Sequence, residues 1–139
     1  MMTHNKSELL KTINKLGFPD KEVVLALDTF FEANEEYGSI GVNIYPNQPS
    51  PQIFYDAFKE LRDLKKADNI FVRVTDTEDP EDWFYSDTIY VIGNLTLEEL
   101  ETSIKHLHFD EIYKGWMYGE PVNIGQYDKT KNIFSVWWD

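Results

Sequence analysis

Two imidazoles and two carboxylates crowd one six-residue stretch, His106-Leu107-His108-Phe109-Asp110-Glu111. An H-x-H pair can hold a metal on a strand, where residues i and i+2 share a face. Here the leucine spacing upstream places the pair at the end of a helix, where i and i+2 point about 200° apart. The helix dipole favours imidazole at that end. The third histidine, His4, lies near the chain start, and there is no cysteine to supply a thiolate ligand or nucleophile. The stretch reads as a helix end, and no metal or cofactor is expected.

Gly38-Ser39-Ile40-Gly41 comes close to the nucleophile elbow G-x-S-x-G, but Tyr37 stands where the first glycine belongs. A tight turn is the better reading, since Gly38 and Gly41 accept positive φ. Asp76-Thr77-Glu78-Asp79-Pro80-Glu81-Asp82 has five carboxylates in seven positions but lacks the calcium-loop pattern. Such a run is ordinarily a solvated connection, because like charges stay in water. Its functional reading is an acidic lip for a basic partner. No phosphate-cradling glycine loop and no H-E-x-x-H are present.

The aromatics carry the most information: Trp83-Phe84-Tyr85, Trp116-Met117-Tyr118 and Trp137-Trp138. On a strand, Phe134, Val136 and Trp138 face one way, and Ile133, Ser135 and Trp137 the other. Both faces therefore need cover. The preferred cover for the second face is a pair of N-terminal helices. The alternative leaves part of that face open for binding, where Trp and Tyr are enriched.

These residues need elements to position them. Leu9, Leu10, Ile13 and Leu16 recur at helical spacing after Ser7, with Gly17 as the stop. Val23, Val24, Leu27, Phe30 and Phe31 predict a longer helix from Asp20 to Gly38. Ile40 to Tyr45 is expected as a strand. Ser50-Pro51 opens a helix with Phe54, Ala57, Phe58, Leu61 and Leu64 on its buried stripe. Ile70–Thr75 and Thr88–Ile92 alternate or are β-branched, as strands do. Thr96 and Glu99 form a capping box, and Leu97, Leu100, Ile104 and Leu107 line the helix that follows. Residues 109–131 read as irregular, and Ile133–Trp138 as a final strand. From residue 40 the order is strand, helix, strand, strand, helix, strand. That predicts an α+β sandwich of ferredoxin-like βαββαβ type with two extra N-terminal helices. The last strand, with large apolar side chains on both faces, is expected to be paired in the sheet interior and not to hang at an edge; because the βαββαβ order puts it beside the first strand at an edge, the 109–131 segment is expected to cover its outer side. Residues 1–139 are expected to form a single domain.

Lys plus Arg number 13 and Asp plus Glu 25, giving a net charge of −12. Phosphate backbones and anionic membranes would be repelled, so neither nucleic acid nor a membrane is an expected partner. No run approaches the ~18 apolar residues of a membrane helix, and the start has no signal-peptide core. A cytoplasmic location is expected.

Several short blocks resemble a family of small uncharacterised bacterial proteins. They are Phe30-Phe31-Glu32-Ala33-Asn34, Ser39-Ile40-Gly41-Val42-Asn43, Ser86-Asp87-Thr88-Ile89-Tyr90, Gly115-Trp116 with Gly119 and Pro121, and Val136-Trp137-Trp138-Asp139. The family carries no established activity. The resemblance directs attention to Asn34, Asn43, Asp87, Trp116, Trp138 and Asp139. Asp87 before a strand and Asn34 near a helix end also suit turn and cap roles.

Two functions compete. An acidic, aromatic-rich single domain without catalytic motifs suits a protein-binding module, such as an immunity protein or inhibitor of a basic bacterial toxin. The alternative is a small-ligand binder or small enzyme whose site gathers Trp83, Asp87, Trp116 and Trp138, with carboxylates as acid or base. No nucleophile–base pair supports the enzyme.

Overall fold

The computed structural model describes residues 6–77 and 83–139. Among these residues, four helices and five strands follow in the order α1 (Lys6–Lys15), β1 (Val24–Ala26), α2 (Leu27–Phe31), α3 (Pro51–Asp63), β2 (Asn69–Arg73), β3 (Thr88–Gly93), α4 (Leu97–Ile104), β4 (Glu111–Lys114) and β5 (Asn132–Trp137). One 3-10 turn, Lys105–Leu107, extends α4. The Ser50 hydroxyl caps α3 by accepting from the Ile53 N–H, with Pro51 in the first turn. Both bonds of the Thr96–Glu99 capping box form, at 3.1 and 2.9 Å. No described helix is long and apolar enough to cross a membrane.

The strands form one antiparallel sheet in the order β1-β2-β3-β5-β4. The protein is therefore α+β, but the ferredoxin-like βαββαβ arrangement does not occur. Three expectations change. Residues 20–38 do not make a long helix. Val23, Val24 and Leu25 are all buried, and a strand buries consecutive residues on opposite faces. Leu25 enters the main core while Val24 turns to the other face. Residues 40–45 do not make a strand: only Ile40 forms a single bridge, to Ser86, before Gly41 turns the chain at φ 66°. The segment expected to be irregular supplies β4, which pairs along the outer side of β5, so β5 lies in the sheet interior as expected but is covered by a strand and not by an irregular stretch.

One face of the sheet carries Ile70, Val72, Ile89, Val91, Phe134 and Val136 into the core beneath α3 and α4. Ile13 of α1 joins that same cluster. The N-terminal helices thus do not cover the second face. A strap, residues 115–127, covers it instead. Trp116 meets Tyr90 edge-to-face at 4.9 Å, and the Tyr118 ring lies 3.7 Å from the Arg73 guanidinium carbon. At β1 the Asn123 amide accepts from the Val24 N–H (3.0 Å) and donates to the Val24 carbonyl (2.8 Å). The Val122 N–H donates to the Glu22 carbonyl.

Gly93 closes β3 where the chain leaving α3 crosses over it. A Cβ there would meet the Lys66 carbonyl oxygen at 2.2 Å and Ala67 Cα at 2.7 Å. The Asp68 N–H donates to the Ile92 carbonyl, and the Leu95 N–H to that of Lys66. Glycine is required by this backbone approach.

Candidate functional site

The chain between α2 and α3 is irregular yet tightly held. Asn34 donates from Nδ2 to Ser39 Oγ at 2.8 Å and accepts the Glu36 N–H at 2.9 Å. The Ser39 carbonyl accepts from the Ser86 N–H, and Gln48 donates to the Gly41 carbonyl at 2.8 Å. A side chain at Gly41 would strike Ile44 and Phe54. These anchors fix the loop and turn three apolar side chains outward. Tyr37 is 62% exposed, Val42 61% and Tyr45 90%. Ser39 is fully buried, its hydroxyl bonded by Asn34.

Beside this loop lie two clefts. The first, of about 400 Å³, sits where β2, β3 and β5 end, and is lined by Val42, Asp76, Tyr85, Asp87, Trp137 and Asp139 among others. The second, of about 330 Å³, is lined by Asn43, Tyr45, His108, Asp110 and Asp139. Asp139 belongs to both, and its backbone N–H donates to Asp110 Oδ2 at 2.7 Å.

Asp87 is the most heavily bonded carboxylate here. Its Oδ1 accepts from Arg73 Nη1 (3.0 Å), Thr75 Oγ1 (3.1 Å) and Thr88 Oγ1 (2.8 Å). Arg73 also forks onto both oxygens of Glu22, at 2.6 and 3.2 Å. Burial works against the Arg73 charge. The Glu22 and Asp87 carboxylates outweigh it, so the guanidinium holds its proton above its ordinary value. Under the strap, burial pushes the Tyr90 hydroxyl up, and that hydroxyl has no hydrogen-bond partner.

The residues singled out from the sequence separate into three groups. Asp87, Trp138 and Asp139 share the first cleft, and Asn43 and Asp139 both line the second. Asn34 is buried and organises the loop from behind. Trp83 and Trp116 line neither cleft: the Trp83 indole donates to the Phe30 carbonyl, and Trp116 packs on Tyr90 and Tyr127. Trp138 is itself almost wholly buried, set edge-on to Phe54 and Phe58. Of the acidic run, Asp76 lines the first cleft, while residues 78–82 lie outside those described. His108 lines the second cleft in the left-handed conformation. Among the described residues, no group of three His, Asp or Glu side chains is placed to hold a metal. The sequence reading missed Tyr37, Val42 and Tyr45. The prolines at 46, 49 and 51 and the glycines at 38 and 41 were the available signal for a loop there.

The architecture is that of a small α+β protein: one antiparallel sheet, helices on one face, a strap on the other, and an acidic double cleft at one end. The model of the family described as "Uncharacterized protein YfbO family" matches residues 4–136, and the chain belongs to that family. It is 33% identical over 119 residues to "Uncharacterized protein YfbO" of Escherichia coli (strain K12), an alignment spanning 84% of this chain and 82% of that protein. No solved structure matches the chain.

Proposed function

We propose that this chain is a protein-binding module that engages a basic partner through the 37–45 loop and the cleft beside it. The observation that carries the reading is the exposure of Tyr37, Val42 and Tyr45 on a loop pinned by buried hydrogen bonds. Side chains presented on a pinned loop lose little entropy on binding, and Tyr is enriched among the residues that dominate interface energetics. Asp76, Asp87, Asp110 and Asp139 line the clefts that Val42 and Tyr45 also line, and the net charge of −12 adds a long-range field that steers a cationic partner. An inhibitor or immunity protein for a basic bacterial toxin is the concrete form of this reading.

The test is affinity capture from the source cell at low salt, with mass spectrometry. A basic protein at fixed stoichiometry is expected, released as salt rises and lost from a Val42→Ser/Tyr45→Ser variant. Identical captures by wild type and variant, or a co-purifying metabolite with no protein, would overturn the proposal.

A further inference from the structure

Asp87 is bonded through one carboxylate oxygen only. Its Oδ1 accepts from Arg73, Thr75 and Thr88. Its Oδ2 accepts no hydrogen bond among the described residues, and the side chain stays 29% exposed where Asp87 lines the first cleft. The backbone around it is fixed. The Trp138 N–H donates to the Asp87 carbonyl at 2.9 Å, the Ser86 N–H to that of Ser39 at 2.7 Å, and Asp76 and Tyr85 bond each other's backbone in both directions. Val42, Tyr85 and Trp137 supply apolar surface to the cleft, and Asp76, Asp87 and Asp139 supply three carboxylates. Among the described residues, no Lys, Arg or His lines it. Arg73, behind Asp87, does not cancel that charge, because it also forks onto Glu22.

Resting on the protein-binding reading above, we propose that the first cleft receives one arginine side chain of the basic partner, its methylenes along the apolar walls and its guanidinium against Asp87 Oδ2 and the Asp139 carboxylate. The volume, about 400 Å³, is at the lower end of ligand sites and has room for one long side chain. A long cationic side chain buries its stem on apolar surface and keeps its head polar, which is the division this cleft offers. Arginine fits better than lysine. Its guanidinium is planar and weakly hydrated, stacks on aromatic faces and offers forked donors to carboxylates, and two half-buried aromatic residues, Tyr85 and Trp137, stand beside the acids. The chain holds a guanidinium of its own in a setting of this kind. Arg73 lies between the Glu22 and Asp87 carboxylates, with the Tyr118 ring 3.7 Å from its central carbon. Because Oδ1 is already fixed by three donors, Asp87 presents Oδ2 without having to be ordered on binding.

The probe is N-acetyl-arginine amide, titrated into the full chain and followed by amide and indole NMR at a constant ionic strength of about 0.15 M. The Trp137 indole N–H and the amides of Val42, Asp87 and Asp139 are expected to shift saturably, with half-saturation at about 1–10 mM. N-acetyl-lysine amide should bind about threefold more weakly or worse, and the neutral N-acetyl-citrulline amide should leave these signals in place. Asp87→Asn keeps an oxygen for Arg73, Thr75 and Thr88 but puts a donor where Oδ2 stands, and should weaken the arginine probe about tenfold. Asp139→Asn should weaken it about threefold. Circular dichroism confirms folding; should Asp87→Asn not fold, Asp139→Asn decides. The arginine probe should also release the captured basic protein at an ionic strength where the lysine probe does not. Capture that survives both the probe and these substitutions overturns the arginine assignment and leaves the protein-binding reading standing. Saturable probe binding with no captured protein overturns the partner as the source of the side chain. Unshifted cleft signals, or equal binding of the citrulline amide, overturn the proposal outright.

Discussion

The indole N–H of Trp138 donates to the carbonyl of Leu107 at 2.8 Å, joining the residue after β5 to the 3-10 turn that closes the helical layer. Phe54 and Phe58 of α3 meet the same ring edge-on at 5.4 and 6.4 Å. One side chain thus ties sheet, α3 and the end of the α4 segment together. Trp138→Ala is expected to destabilise by about 3–5 kcal/mol. Trp138→Phe keeps the apolar contact but strands the Leu107 carbonyl, so its loss is smaller, about 1–3 kcal/mol. Deleting Val136–Asp139 removes this tie and part of a strand that is paired on both sides, and abolishes the cooperative urea transition.

Gly93→Ala tests the crossing behind β3. The new methyl would meet backbone at Lys66 and Ala67 rather than a side chain able to swing away. Overpacking of this kind sits at the upper end of its usual range, about 3 kcal/mol. The check is a urea midpoint, and an unchanged value would mean that the crossing chain moves freely.

Along α4, Leu100 is fully buried whereas Leu97 is 44% exposed. Leu100→Ala is expected to lose about 2–5 kcal/mol. Glu101→Ala should stay within about 0.5 kcal/mol, and Leu97→Ala should fall well short of Leu100→Ala. Equal losses in urea melts at Leu97 and Leu100 would contradict the helix face described.

The Asp28 cluster links stability to pH at both extremes. Asp28 accepts from Arg62 Nη1 at 2.9 Å and from the Tyr55 hydroxyl. The Arg62 bond holds the Asp28 carboxyl below its usual range, assisted by Tyr55 and opposed by burial. Its stabilising effect is present above the unfolded value of about 3.9 and is lost as pH falls through the lower folded value. Burial and the bond to Asp28 push the Tyr55 hydroxyl up to about 12. That contribution is present below about pH 10 and is lost as pH rises toward about 12. Asp28→Asn should flatten the acid limb of the stability profile and Tyr55→Phe the alkaline limb. Each change should be under about 1 kcal/mol, because the ion pair is half-exposed. Urea midpoints from pH 2 to 12 provide the measurement.

Where an element was long and its pattern unambiguous, sequence and structure agree. Ser50-Pro51 and the Thr96–Glu99 box announce α3 and α4, and alternation announces β2, β3 and β5. The failures are physical. Val23-Val24-Leu25-Ala26-Leu27 satisfies helical spacing and a doubly buried strand equally well, because a short apolar run carries no period. Glu111–Lys114 has one half-buried residue, too little apolar contrast to mark an edge strand. Ile40 to Tyr45 alternates in composition, but the alternation is outvoted by Gly41 and by the hydrogen bonds from Asn34 and Gln48. The same misreading hid the exposed anchors. Asp87, Trp138 and Asp139 were singled out through the family resemblance, and the fold brings them to one cleft at the end of β5; Trp83 and Trp116, singled out beside them, line neither cleft, since a packed indole and an exposed one look alike in sequence.

The Asn123 amide against Val24 has a consequence for how large any assembly can grow. A sheet with two receptive borders can add copies without end, as fibres do. Here one side-chain amide occupies the place a neighbouring strand would take. Growth by strand addition is blocked at this border, and replacing Asn123 by alanine would leave the outward N–H and carbonyl of Val24 open to a neighbouring strand.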